Sequence, residues 1–178
     1  MNLPNKLTML RVIMIPFFVV FMLADICGGA DRWIALGIFI AASLTDLLDG
    51  KIARKYNLVT DFGKLMDPLA DKLLVSAALI CLSAMDRLEA WIVIVIISRE
   101  FIISGLRQIA ADKGVVIAAS YWGKYKTTFQ MIMICLLIVN IDALSLVSAI
   151  VTWIAVILTI ISLLDYMIKN KSVFMEDK

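Results

Sequence analysis

Four aspartates carry most of the chemistry this chain could perform. In the segment DLLDGKIARKYNLVTDFGKLMDPLAD, Asp46 and Asp49 stand three residues apart, and Asp67 and Asp71 stand four apart. On a helix either spacing puts two carboxylates on one face. Two helix ends of this kind would present four anions to one space, where repulsion raises carboxylate pKa values unless cations neutralise them. Hard divalent ions with oxygen ligands fit that need, Mg²⁺ above all where a phosphate shares the site. Gly50, Ala53 and Gly63 have almost no side chain, which suits a ligand that must come close to the backbone. A plainer reading exists for each residue taken singly. Asp67 before Pro68 resembles a helix N-cap with proline at the first helical position, Gly50 a helix terminator, and Lys51, Arg54 and Lys55 an ordinary basic loop. Capping would use only Asp67, so four carboxylates in this arrangement stay unexplained on that reading.

A second group is cationic. Arg99, Arg107, Lys124 and Lys126 fall within and between two apolar stretches. Arginine offers a planar fork to a phosphate and lysine a compact charge, so the group suits a phosphate-bearing, water-soluble substrate. Lys124 and Lys126 also fit simple anchors at a membrane surface, and Arg99 could pair with Glu100. The chain holds no histidine, which removes imidazole zinc sites and histidine triads, and a net charge of +2 is too small for a nucleic-acid binder. Cys27, Cys81 and Cys135 show no CxxC spacing and read as buried thiols.

The elements that must position these residues are set by composition. Of 178 residues 62% are hydrophobic and 18% charged, with a mean hydropathy of +0.96. A water-soluble domain of this size exposes too much surface to hide that much apolar mass. An all-α integral membrane protein follows, with residues 1–178 as one domain. Uncharged stretches at residues 12–24, 33–45, 73–85, 90–98, 127–141 and 143–164 predict six transmembrane helices. Only the last is long enough to cross ~30 Å of hydrocarbon without a charge. The others must extend through Arg11, through Asp46 and Asp49, from near Gly63 through Asp67 and Asp71, through Arg99, Glu100 and Arg107, and from near Lys124. With both termini cytoplasmic, Arg32 and Arg87 lie in outer loops and Arg99 inside a span. The other fourteen of seventeen basic residues then fall on the inner side. The aspartates and the second cationic group share that depth, which predicts a polar, metal-binding chamber open to the cytoplasm beneath an apolar outer half. Lys169 and Lys171 read as solvated tail charges, and Trp33, Trp91, Trp122 and Trp153 as interface anchors or packing.

The aspartate segment resembles the signature of the CDP-alcohol phosphatidyltransferase family, D-x2-D-G-x2-A-R-x8-G-x3-D-x3-D. Asp46, Asp49, Gly50, Ala53, Arg54, Gly63, Asp67 and Asp71 occupy every fixed position. The opening PNKLTMLR is similar to the family's amino-terminal segment. The stretch SREFIISGLRQIAADKGVVIAASYWGKYKT resembles the branch that uses glycerol 3-phosphate. The resemblance implies transfer of a phosphatidyl group from CDP-diacylglycerol to sn-glycerol 3-phosphate, with two divalent ions, Mg²⁺ or Mn²⁺. It further implies Asp46, Asp49, Asp67 and Asp71 as metal ligands, Asp71 also as general base, and Thr8, Gly50, Ala53, Arg54 and Gly63 around the CDP-lipid. Arg99, Arg107, Lys124 and Lys126 would then take the acceptor phosphate, and the enzyme would be a homodimer in the cell membrane. Inositol phosphate, serine or phosphatidylglycerol remain alternative acceptors. A prenyltransferase fits the insert between the aspartate pairs poorly, and a divalent-cation channel or transporter lacks a polar route through the outer half.

Overall fold

The computed structural model describes residues 3–55, 61–114, 117 and 120–171; the side chains of residues 3–4, 46–55, 61–65, 67 and 112 lie outside that description. The described residues form six α-helices: α1 (Leu3–Leu23), α2 (Asp31–Lys55), α3 (Asp61–Ala84), α4 (Ala90–Asp112), α5 (Tyr121–Val139) and α6 (Ser145–Lys169). Short 3₁₀ turns at Gly28–Ala30 and Asp142–Leu144 precede α2 and α6. No strand occurs among the described residues.

Helix ends follow local chemistry, and two of them differ from the simplest expectation. Asn140 closes α5 in the left-handed conformation, its N–H reaching the Leu136 carbonyl at 3.0 Å, and Gly114 takes φ +73° just past α4. Ser120 opens α5 by accepting the Gly123 N–H at 3.2 Å. By contrast α2 runs through Gly50 to Lys55, and α3 starts at Asp61, six residues before Asp67. Gly50 is therefore no terminator and Asp67 no N-cap. Pro68 lies inside α3, where its missing N–H leaves the carbonyl one turn earlier without its helical partner.

The chain divides into two compact units, Met1–Arg87 and Leu88–Lys178. In the first, α1 packs on α2 and α3. The fully buried rings of Phe18 and Phe39 lie 5.8 Å apart at 42°, and Arg11 meets Ala42 further along. As α1 is followed backwards α2 is followed forwards, so the two run antiparallel. Buried Ala35 and Ala42 on α2, and Ala70 and Ala78 on α3, let the backbones approach.

In the second unit α6 packs on α4 and α5. The contacts Trp91 with Trp153 (5.9 Å), Arg99 with Ser162 (3.0 Å) and Arg107 with Tyr166 (5.8 Å) advance together, so α4 and α6 run parallel. Helix α6 has its polarity turned inward. Thr152, Thr159, Ser162 and Tyr166 are buried, while Leu146, Ile150, Trp153, Ile157 and Leu164 are exposed. The hydroxyls of Thr152, Thr159 and Ser162 return to backbone carbonyls, as from Thr159 to Ala155 at 2.7 Å. Water would favour the reverse arrangement, whereas hydrocarbon accepts large apolar side chains outside and small hydroxyl residues at the packed face. The segments Asn5–Leu23 and Asp142–Lys169 are long and apolar enough to cross a membrane. Cys81 is buried, but Cys27 is exposed rather than buried as the sequence suggested. All four tryptophans are more than a third exposed.

Candidate active site

Helix α2 carries Asp46, Asp49, Gly50, Ala53 and Arg54, and α3 carries Gly63, Asp67 and Asp71. Asp49 lies six residues before the end of α2 and Asp67 six residues after the start of α3. At 1.5 Å per residue each is ~9 Å from its helix end. Lys55 and Asp61 are six residues apart in the chain, which limits their separation to about 20 Å. Since α2 and α3 also touch, both aspartate pairs belong to one end of the first unit. The side chains of Asp46, Asp49, Gly50, Ala53, Arg54, Gly63 and Asp67 lie outside the described residues; Asp71 is half-buried.

Helix α1 brings a polar stripe to that same end. Asn5, Thr8 and Arg11 recur every third residue and are buried, Thr8 and Arg11 completely. Arg11 Nε donates to the Ala42 carbonyl at 3.2 Å, and Thr45 Oγ1 donates to the same carbonyl at 2.6 Å. From that anchor, three and six residues back along α1 reach Thr8 and Asn5, ~4.5 and ~9 Å away, while four and seven residues forward along α2 reach Asp46 and Asp49, ~6 and ~10.5 Å away. The stripe therefore stands level with the first aspartate pair. Thr8 was expected near the CDP-lipid; Asn5 and Arg11 were not assigned, although three polar residues at helical spacing in an apolar helix were a readable signal.

The donor set at this end consists of carboxylates, which matches hard divalent cations rather than soft ones. Among side chains that are described, no three metal-capable groups cluster; three of the four aspartates fall outside that set.

The cationic group divides in two. Lys126 is fully buried and donates to Glu100 Oε1. Arg99 is buried as well, with Nη1 3.3 Å from the same Oε1 and Nε donating to Ser162 Oγ at 3.0 Å. Its guanidinium also lies beside Gly123, where an added Cβ would stand 3.4 Å from Nη2. Arg107 and Lys124 are exposed and lie over rings, Arg107 5.8 Å from the centre of Tyr166 and Lys124 5.4 Å from that of Tyr121. Gln130, one turn beyond Lys126, and Tyr166 are both buried; Gln130 Oε1 and the Tyr166 hydroxyl have no hydrogen-bond partner among the described residues. Ser162, Gln130 and Tyr166 were not singled out from sequence, because a hydroxyl or amide in an apolar helix reads as ordinary until its neighbours are known. Lys169 is the solvated charge expected, paired with Asp165 at 2.6 Å.

A cavity of about 420 Å³ opens at the other end of the first unit, lined in part by Phe21, Asp25, Asp31, Arg32 and Arg87. Asp31 and Asp46 are separated by ~22 Å of helix, so this cavity is remote from the aspartate end. Burial, and then the neighbouring Arg32, push the Arg87 guanidinium below its ordinary range. The charged residues of this end lie in or beside the connections between helices.

A family model described as CDP-alcohol phosphatidyltransferase matches residues 1–161. A Bacillus subtilis protein named CDP-diacylglycerol–glycerol-3-phosphate 3-phosphatidyltransferase is 48% identical over 183 residues, covering 95% of each chain. A Rickettsia typhi protein of the same name is 42% identical over 178 residues, covering 97% of this chain and 99% of its own. A Mycobacterium tuberculosis protein named probable phosphatidylglycerophosphate synthase is 41% identical over 170 residues, covering 93% and 79%.

Proposed function

We infer that this chain, which belongs to the CDP-alcohol phosphatidyltransferase family, transfers a phosphatidyl group from CDP-diacylglycerol to sn-glycerol 3-phosphate, giving phosphatidylglycerophosphate and CMP. The observation that carries this reading is likeness over nearly the whole chain to relatives named for that reaction, with every fixed position of the aspartate signature filled.

Asp46, Asp49, Asp67 and Asp71 would hold the divalent cations, two ions of Mg²⁺ or Mn²⁺, whose chemistry is to neutralise the pyrophosphate and stabilise the departing CMP. Asp71, one turn beyond Asp67, takes the proton of the attacking glycerol hydroxyl. That oxygen bonds to the phosphatidyl phosphorus as the P–O bond to CMP breaks, and CMP leaves with the electron pair. Gly50, Ala53 and Gly63 leave room for the nucleotide, with Thr8 and Arg54 binding beside them. Arg99, Arg107, Lys124 and Lys126 receive the acceptor phosphate, the exposed Arg107 and Lys124 meeting it first.

The setting is a bilayer crossed by all six helices, both termini cytoplasmic, with a polar chamber on the cytoplasmic side and two copies forming a homodimer. At 19 and 23 residues, α5 and α4 are ~28 and ~34 Å long, the first close to and the second above the ~30 Å of hydrocarbon. Their charges Lys126, in the second turn of α5, and Arg99, near the middle of α4, are buried rather than turned to lipid.

CMP release from CDP-diacylglycerol by the purified protein, measured with glycerol 3-phosphate, inositol phosphate, serine and phosphatidylglycerol in turn, tests the reading. Release with glycerol 3-phosphate alone is expected. Release only with another alcohol would reassign the acceptor, and none with any would remove the reaction.

A further inference from the structure

We propose that Glu100 is a positioning residue for the acceptor phosphate, its carboxylate fixing Lys126 and Arg99 in the orientation in which they bind. The proposal rests on the assignment of those two cations to glycerol 3-phosphate.

One oxygen, Glu100 Oε1, takes hydrogen bonds from Lys126 Nζ on α5 and from Arg99 Nη1 on its own helix. Arg99 is held a second time from α6, through Nε and Ser162 Oγ. A single carboxylate thus links the cationic ends of side chains from two helices and, through Arg99, the third. Lys and Arg side chains lose much rotamer freedom when fixed, and a ligand that must organise them itself binds more weakly. With Glu100 in place the ordering precedes the ligand.

Charge gives the second argument. Arg99 and Lys126 side chains are 9% and 1% exposed, and Glu100 24%. Two buried cations without an anion would be costly in a low-dielectric interior. Glu100 leaves the trio at one net positive charge, which still attracts a phosphate while avoiding the burial of two. Gln130 Oε1, buried one turn from Lys126 and lacking a donor among the described residues, leaves an acceptor on the same helix for a ligand hydroxyl.

The test compares Glu100→Gln, Glu100→Asp, Lys126→Met and the double variant Glu100→Gln/Lys126→Met in the purified full-length protein. KM for glycerol 3-phosphate, KM for CDP-diacylglycerol and thermal unfolding are measured for each. Glu100→Gln should raise the acceptor KM about tenfold or more with the donor KM unchanged. Glu100→Asp should recover part of the loss, and the double variant should lose less than the sum of the two single variants, because Glu100 acts in part through Lys126. If Lys126→Met raises the acceptor KM but folded Glu100→Gln does not, the positioning role is wrong and the acceptor assignment stands. If neither variant moves the acceptor KM, the acceptor assignment itself fails and the proposal with it. Equal changes in both KM values, or additive losses in the double variant, would make Glu100 structural and overturn the proposal. Should Glu100→Gln not fold, Glu100→Asp carries the same comparison.

Discussion

Removing Arg107 separates substrate recognition from folding, because the structure gives it an exposed position over the Tyr166 ring. Its guanidinium lies 5.8 Å from the centre of the Tyr166 ring. An exposed cation–π contact contributes about 0.5–1 kcal/mol, which bounds the stability expected to be lost in Arg107→Ala. A charge-assisted hydrogen bond to a phosphate contributes about 1.5–3 kcal/mol, equivalent to roughly ten- to a hundredfold in acceptor use. The two effects differ enough to be read separately. CMP release would be followed at saturating CDP-diacylglycerol with glycerol 3-phosphate varied, then at saturating acceptor with the lipid varied, alongside thermal unfolding in the same detergent. The expected result is an acceptor KM raised at least tenfold, a donor KM within about twofold and a small loss of stability. Arg107→Lys should fall between, since it keeps the charge and loses the planar fork. An acceptor KM within twofold of the parent, in a folded Arg107→Ala protein, would exclude Arg107 from the acceptor site and leave the phosphate to Lys124, Lys126 and Arg99.

Asp49→Asn keeps the side-chain size and removes one negative charge, so activity should fall at least about a hundredfold and the apparent divalent-ion requirement should rise; excess chelator should abolish turnover of the parent. A normal rate and metal dependence in the variant would remove Asp49 from the ligand set. Phe39→Ala empties ~100 Å³ beside Phe18 in the first unit, and at about 24 cal/mol per Å³ this costs about 2 kcal/mol. In a bilayer no further water-transfer term applies, because the separated helices stay in hydrocarbon. A denaturation loss above about 4 kcal/mol in lipid or detergent would contradict that reference state.

The reaction class was legible because the chemistry is local in the chain. The spacing of Asp46, Asp49, Asp67 and Asp71 pairs carboxylates on shared helix faces, and the resemblance of the signature they belong to supplied the reaction class. Helices were equally plain: six apolar runs became six helices, four of which extend nine to fourteen residues past their runs through the charged segments. Those ends were harder to read. Gly50 and Asp67–Pro68 look like helix boundaries, yet α2 and α3 continue through them. Intrinsic helix preferences of ~1 kcal/mol for glycine and ~3 kcal/mol for proline are small enough for packing to override.

Tertiary structure decided which charges are exposed and which are held. Four basic residues, Arg99, Arg107, Lys124 and Lys126, looked alike in sequence. Only the packing of α4, α5 and α6 buries two of them on Glu100 and sets Arg107 over Tyr166, while Lys124 lies over Tyr121 one turn away on its own helix. It also put Arg11 against the Ala42 carbonyl and turned the hydroxyls of α6 inward. Spacing within one helix fixes which residues share its face. It cannot fix which face meets a neighbour, because that choice depends on shape and polarity supplied by residues up to 63 positions away, as Arg99 and Ser162 are.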